Sequence, residues 1–180
     1  KKLKKINLVY NQLSQIGNEA LARFNLIKNI EVLNLSEKLN EVGSLIYGDS
    51  GVMVFLASPY TFKLETLDLS ESNLTDRSAI AISQSKKFTR LLQLNLSGNR
   101  ITDLGAGALA NSKYFKQLKQ LNLNFNSIGD LGASSIAGSP HLPNLESLKL
   151  GQNRVSKAGA KALKNSNTLI NLVHPIFGFY

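Results

Sequence analysis

The sequence predicts an α/β architecture of stacked strand–helix units, and three observations point to it. Leu64, Leu91, Leu118 and Leu145 follow one another at intervals of 27 residues and each opens the same phrase, LETLDLSES, LLQLNLSGN, LKQLNLNFN and LESLKLGQN. The second half of each unit repeats too, as SAIAIS, GAGALA, GASSIA and GAKALK. Within a unit the apolar period changes from two to helical. One unit buries about five large apolar groups at roughly 1.5–3 kcal/mol each. Ordering its residues costs about 1–2 kcal/mol apiece. A lone unit therefore cannot fold, and stacking on neighbours must supply the rest.

Six units begin near residues 3, 30, 64, 91, 118 and 145. Leu3 opens LKKINLVYN and Ile30 opens IEVLNLSEK. Each start predicts a short strand: in Leu91–Leu96, Leu94 and Leu96 share one face while Gln93, Asn95 and Ser97 take the other. Each strand is followed by a helix; in unit four this is Asp103-Leu-Gly-Ala-Gly-Ala-Leu-Ala, with Asp103 in the N-cap position. The second unit carries seven extra residues between Leu35 and Tyr47. Leu169-Ile-Asn-Leu172 predicts a partial seventh unit from 169, with His174 in a strand-leucine slot. The apolar tail, with Ile176, Phe177, Phe179 and Tyr180, is expected to cover the last unit or to mark a cut before further sequence. Residues 1–180 read as a single domain.

Composition narrows the function classes. The chain is 43% apolar, so it is not a disordered tail, and no window reaches eighteen consecutive apolar residues, which rules out a spanning helix. It opens without Met or an apolar signal core, so further residues are expected upstream. Absence of cysteine removes disulfides, thiolate zinc sites and cysteine nucleophiles, and favours a reducing compartment or a bacterial source. A net charge of +9 makes nucleic acid a class to weigh. The lysines, however, fall in or after the helices, where cations complement helix C-termini, and not in a groove interleaved with aromatics. No specific nucleic-acid partner and no membrane partner are expected.

These units resemble the leucine-rich repeat family, in its ribonuclease-inhibitor-like class with the LxxLxLxxNxI…G(A)xxLA unit, over nearly the whole chain. The resemblance implies a curved solenoid, or horseshoe, with a parallel sheet on the concave face and helices on the convex face. It also implies protein binding without catalysis. Lys38 and Ser72 depart from the pattern where its Asn is expected.

Four columns look like sites. Asn11, Asn99, Asn126 and Asn153 suit turn amides that satisfy backbone groups, with an amide ladder for a ligand as the alternative. Asp49, Asp76, Asp103 and Asp130 suggest a metal site, but stacked helices lie about 8–10 Å apart, too far to share a calcium ion, and helix N-capping is the reading adopted. Ser58, Ser85, Ser112, Ser139 and Ser166 fall where hydroxyls can bond free helix carbonyls, and neither His141 nor His174 shares a column with them and an acid. Gly51, Gly105, Gly132 and Gly159 read as close-packing positions without a phosphate-loop pattern. No catalytic residue, cofactor or metal ligand is assigned.

Specificity is expected on the outward strand positions. The candidate partner-binding residues are Lys5, Asn7 and Tyr10 in unit one, Asn34, Glu37 and Glu41 in unit two, and Asp68 and Glu71 in unit three. Asn95 follows in unit four, then Asn122, Asn124 and Phe125, and finally Lys149 and Gln152. Tyr10 and Phe125 are candidate anchors, the alternative being rings folded back over the rim. Glu37, Glu41, Asp68 and Glu71 form an acidic patch, and the insertion 37–46 is a candidate binding loop or a tolerated mobile insertion.

Taken together, the reading is a non-enzymatic module that binds a folded protein, in one version an enzyme whose active site it covers. Sixteen Lys against five Arg, with nineteen Asn and no Cys, also resembles leucine-rich-repeat effectors of intracellular bacteria. That resemblance implies a host protein or another effector as partner, a cytosolic location (the host cytosol after secretion included) and a monomer apart from its complex. The alternative is the substrate-targeting module of a larger ligase adaptor or multidomain effector.

Overall fold

The computed structural model describes residues 3–11, 13–37, 48–60 and 62–176. Seven short strands form one parallel sheet in sequence order: β1 (Lys5–Asn7), β2 (Val32–Asn34), β3 (Thr66–Asp68), β4 (Gln93–Asn95), β5 (Gln120–Asn122), β6 (Ser147–Lys149) and β7 (His174–Ile176). Between them run α1 (Gln15–Arg23), α2 (Gly48–Leu56), α3 (Asp76–Gln84), α4 (Asp103–Ala110), α5 (Asp130–Ala137) and α6 (Lys157–Lys164). This is the solenoid the repeats predict. Registers Lys5↔Val32 and Gln93↔Gln120 reproduce the 27-residue step, and Val32↔Thr66 absorbs the insertion in unit two.

Stacked leucine columns make the core. Leu33, Leu67, Leu94, Leu121 and Leu148 point inward from the strand centres and are buried, as are Leu35, Leu69, Leu96, Leu123 and Leu150 two residues on. Helices answer with small and branched residues, Ala79 and Ile82, Ala106 and Leu109, Ala133 and Ile136. Phe88 and Phe115 fill the return turn after the helix, and Phe55 stacks on Phe62 at 4.5 Å between centroids. Because each column continues into the next unit, the core is one continuous cluster.

Hydrogen bonds between units follow the polar columns. Asn126 Nδ2 donates to the carbonyls of Leu96, Leu123 and Asn124, and its Oδ1 accepts from Ile101 N–H. Asn99 and Asn153 make the corresponding sets, so the Asn column is a turn scaffold. In the serine column, Ser112, Ser139 and Ser166 donate to the carbonyls of Ser83, Ala110 and Ala137 near the C-terminal end of the preceding helix.

The aspartate column corrects the sequence reading. These residues do not cap their own helices; Thr75, Thr102 and Ser156 hydroxyls do that for α3, α4 and α6. Each aspartate instead reaches across to the helix of the next unit. Asp76 accepts from Thr102 N–H and Oγ1 and from Gly105 N–H; Asp103 accepts from Gly129 N–H at 2.6 Å and Gly132 N–H at 2.9 Å. Asp130 does the same with Ser156 and Gly159, and Asp49 with Thr75 and Ser78. A carboxylate at the next helix N-terminus satisfies orphan donors and opposes the positive dipole end. At Gly105, Gly132 and Gly159 a Cβ would lie 2.5–2.7 Å from the aspartate oxygen, whereas the equivalent residue of unit three is Ser78, whose hydroxyl donates to Asp49.

Burial raises the Asp49 carboxyl, but the donations from Ser78 and Thr75 together outweigh it and hold the group below the usual carboxylate range. For Asp130 the Ser156 hydroxyl, and then its N–H, does the same. Lys157 stands where the next aspartate would be, so the ladder ends at unit six.

The last strand brings a second correction. β7 pairs as Ser147↔His174 and Leu148↔Pro175, so Pro175, not His174, holds the strand-leucine slot. The 27-residue step continues, and Leu172 rather than Leu169 opens the seventh unit; Leu169 instead matches Leu142 in the return turn, each accepting from the N–H three residues on. Residues 38–46 of the insertion, Glu41 among them, and tail residues 177–180 lie outside the described residues.

Candidate functional site

Opposite the core, the strands present two parallel rungs of side chains. One runs Lys5, Val32, Thr66, Gln93, Gln120, Ser147; the other Asn7, Asn34, Asp68, Asn95, Asn122, Lys149. Seven strands at about 4.8 Å spacing make this wall roughly 30 Å long. An open hollow of about 210 Å³ runs along its centre, over β3 to β6. The structure thus brings Lys5, Asn7, Asn34, Asp68, Asn95, Asn122 and Lys149 onto one face.

Their availability differs. Every amide or carboxylate of the second rung is engaged in the turn that follows its own strand. Asn7 Oδ1 accepts from Val9 N–H, Asn34 from Ser36, Asn95 from Ser97 and Asn122 from Asn124. Asp68 accepts from Ser70 N–H and Oγ, while its second oxygen takes Asn95 Nδ2 at 3.0 Å. These residues shape the face before they can bind anything, because a short side chain two residues upstream closes the turn. Asn124 has a similar task, accepting from Gly151 N–H at 2.8 Å. Gln93 and Gln120, on the first rung and outside the candidate set, are exposed amides of the wall for which no turn bond is seen among the described residues. Lysine at 149 has no acceptor for such a turn and extends to solvent.

Along the C-terminal ends of the strands lies a third row: Tyr10, Glu71, Gly98, Phe125 and Gln152. All five have left-handed backbone, with φ between 54° and 68°. This conformation costs most L-residues about 1–2 kcal/mol, and glycine almost nothing. Only one of the five is glycine. Gly98 is also crowded, since a Cβ there would lie 2.8 Å from Glu71 Cγ. The Tyr10 and Phe125 side chains stand out to solvent, 62% and 61% exposed, and are not folded back over the rim. Four strand steps separate them, roughly 19 Å.

Glu37, expected in the same row, is corrected: it is only 4% exposed. Its N–H donates to the Ser70 carbonyl just as Tyr10 N–H does to Ser36 and Phe125 N–H to Gly151, so the backbone keeps the row's bond while the side chain is buried. The acidic patch on the described wall therefore reduces to Glu71, exposed, and Asp68, locally satisfied. Two apolar side chains escaped the sequence reading. Leu104 and Leu131, 74% and 75% exposed, sit second in α4 and α5, just beyond the same edge as Phe125. Their signal is a leucine off the buried face of a helix whose core positions are already filled by Ala106, Leu109, Ala133 and Ile136.

Among the described residues, no three His, Asp or Glu side chains gather as a metal site. The aspartate ladder cannot serve as one while its oxygens accept donors from the next helix. His141 is half-buried, and its N–H donates to Ser139 Oγ.

A curved inner wall of this kind, on a strand–helix repeat of 27 residues, defines a class. The chain belongs to the leucine-rich repeat family: the family model described as Leucine Rich repeats (2 copies) matches residues 89–136, and that described as Leucine Rich repeat matches 62–83 and 141–164. This family is typically a non-enzymatic, protein-binding scaffold.

Among solved structures, the chain is similar to leiomodin-1 actin-binding site 2, at 24% identity over 58% of this chain and 61% of that one, with a TM-score of 0.44. It is similar to internalin C2 of Listeria monocytogenes, at 21% identity over 98% of this chain and 77% of that one, TM-score 0.47. Internalin F of the same organism aligns at 18% identity over 90% of this chain and 50% of that one, TM-score 0.35. No curated protein matches the sequence.

Proposed function

We propose that the inner wall and its left-handed edge dock a folded protein partner. The observation that supports this reading is the row at the strand ends. Tyr10, Glu71, Phe125 and Gln152 occupy a backbone conformation that glycine would adopt more cheaply, and two of them expose aromatic rings. Residues held in costly conformations cluster at functional positions, and exposed aromatics are the residue type in which binding energy concentrates. Leu104 and Leu131 extend the edge beside Phe125, while Gln93, Gln120 and Lys149 supply polar contacts from the wall.

In the version we favour, the partner is a host protein or a second bacterial effector, and covering its active site makes this chain an inhibitor. The chain then works in a cytosol, as a monomer until it meets the partner. A cysteine-free sequence suits that compartment.

The test is affinity capture from host extract and from source-organism lysate, followed by calorimetry with the purified partner. Replacing Tyr10, Gln120 and Phe125 by alanine should weaken binding by about 100-fold or more with the fold intact. Asp68 is left in place because it closes its own turn. Unchanged affinity in the triple variant would refute the map.

A further inference from the structure

The edge formed by the return loops, where each helix runs back to the next strand, has a charge pattern of its own. The segments 24–30, 57–64, 84–91, 111–118, 138–145 and 165–173 contain no Asp or Glu, although the chain has twelve such residues. The same segments hold Lys28, Lys63, Lys86, Lys87, Arg90, Lys113 and Lys116. Three carboxylates border the edge at the strand starts, and each is paired: Glu31 with Lys4, Glu65 with Arg90, Glu146 with Lys119. Lys87 is turned inward, donating to the carbonyls of Ser58 and Tyr60. Lys28, Lys63, Lys86, Lys113 and Lys116 remain exposed along the edge.

Helix dipoles account for only part of this. The dipole acts within the last turn of a helix. Lys86 and Lys113 lie close to the ends of α3 and α4, and Lys28 in the last turn of a short 3-10 helix (Asn25–Asn29), but Lys63 and Lys116 are seven and six residues past the ends of α2 and α4. A single nucleic-acid strand would stack its bases on exposed aromatic platforms between the cations. Here Phe62, Phe88 and Phe115 are buried and Tyr60 and Tyr114 half-buried. What the edge exposes instead is apolar at its two ends, Phe24 and Leu26 in unit one and Ile170 in the return turn of unit six. Cations with apolar side chains beside them match an anionic lipid interface, where lysines face headgroup charge and apolar groups enter the acyl boundary.

We propose that the return-loop edge is a peripheral docking surface for an anionic lipid bilayer. This goes beyond the protein-binding reading and revises the expectation of no membrane partner. The mode is surface association; among the described residues no helix is long and apolar enough to cross a membrane. Docked by this edge, the inner wall stays open to a protein partner.

The experiment is co-sedimentation of the full chain with vesicles of phosphatidylcholine alone and of phosphatidylcholine mixed with phosphatidylserine, at low and physiological salt. Binding should require phosphatidylserine. It should fall at least about tenfold when Lys63, Lys86 and Lys116 are replaced by glutamate, with circular dichroism unchanged. A second variant, Phe24→Ser with Ile170→Ser, keeps the charge and should still lose several-fold in binding. No binding to the mixed vesicles, or binding indifferent to the lysine changes, overturns the proposal. So does binding insensitive to the serine changes and matched by duplex DNA, which would make the edge a generic polyanion surface. None of these outcomes depends on the inner wall, so the two readings stand or fall separately.

Discussion

Asp103 is the best place to measure how one unit holds the next. Its carboxylate accepts two N–H groups of unit five, Gly129 at 2.6 Å and Gly132 at 2.9 Å, and Gly132 is buried. A hydrogen bond to a charged group contributes about 1.5–3 kcal/mol, and loss of a helix cap costs about 0.5–2 kcal/mol. Gly129 is half-exposed and can rehydrate, so the lower part of the range applies, and Asp103→Ala should cost about 2 kcal/mol. For a chain of this length that is a fall in Tm of about 4–8 °C, read by calorimetry or circular dichroism. Gly132 supplies an internal control. Its Ala variant would place a Cβ 2.7 Å from Asp103 Oδ1 and 2.7 Å from Ile128 Cγ2. Removing the carboxylate relieves one of the two clashes, so Gly132→Ala should cost about 1 kcal/mol less in the Asp103→Ala background. Strict additivity, or an Asp103→Ala variant within about 0.5 kcal/mol of the parent, would refute the inter-unit staple.

Gly105→Ala should destabilise by about 1–3 kcal/mol through overpacking against Asp76 and Ile101, seen as a lower urea midpoint. Asn126→Ala strands the Ile101 N–H and removes one of two donors from each of the Leu96, Leu123 and Asn124 carbonyls, and should lower stability by about 1–3 kcal/mol in the same assay, without altering net charge. Acid should weaken the stack. Asp49 and Asp130 have folded pKa values below their unfolded ones, so their stabilisation is present above about pH 4 and is lost as pH falls through the folded values. A Tm–pH series should therefore show a steeper acid limb for the parent than for Asp130→Asn; coincident limbs would contradict this.

The repeat register made the strands and helices legible because each leucine column must be buried by its neighbours. The same regularity hid the direction of the aspartates. An aligned column shows which residues are equivalent but not whether a contact lies within a unit or one unit away. Asp103 two residues before Gly105, or 29 before Gly132, looks alike in such an alignment. Leu169-Ile-Asn-Leu172 misled because it imitates the opening phrase three residues early, where the true step places a return-turn leucine. On the wall, the alternation identified the outward residues but not their tasks. Asn and Asp at the second outward position reach the backbone two residues on; Gln93 and Gln120, on the other rung, stay exposed. The left-handed row was illegible because Tyr10, Glu71, Phe125 and Gln152 carry no turn signature, and only Gly98 hints at it.

The most direct measurement places a photo-reactive residue at Gln93 or Gln120 on the inner wall, and in parallel at Ser134 or Lys161 on the outer helices. The account expects one partner adduct, formed from the inner positions and suppressed by Tyr10→Ala with Phe125→Ala. An adduct formed from the outer helices alone would contradict it.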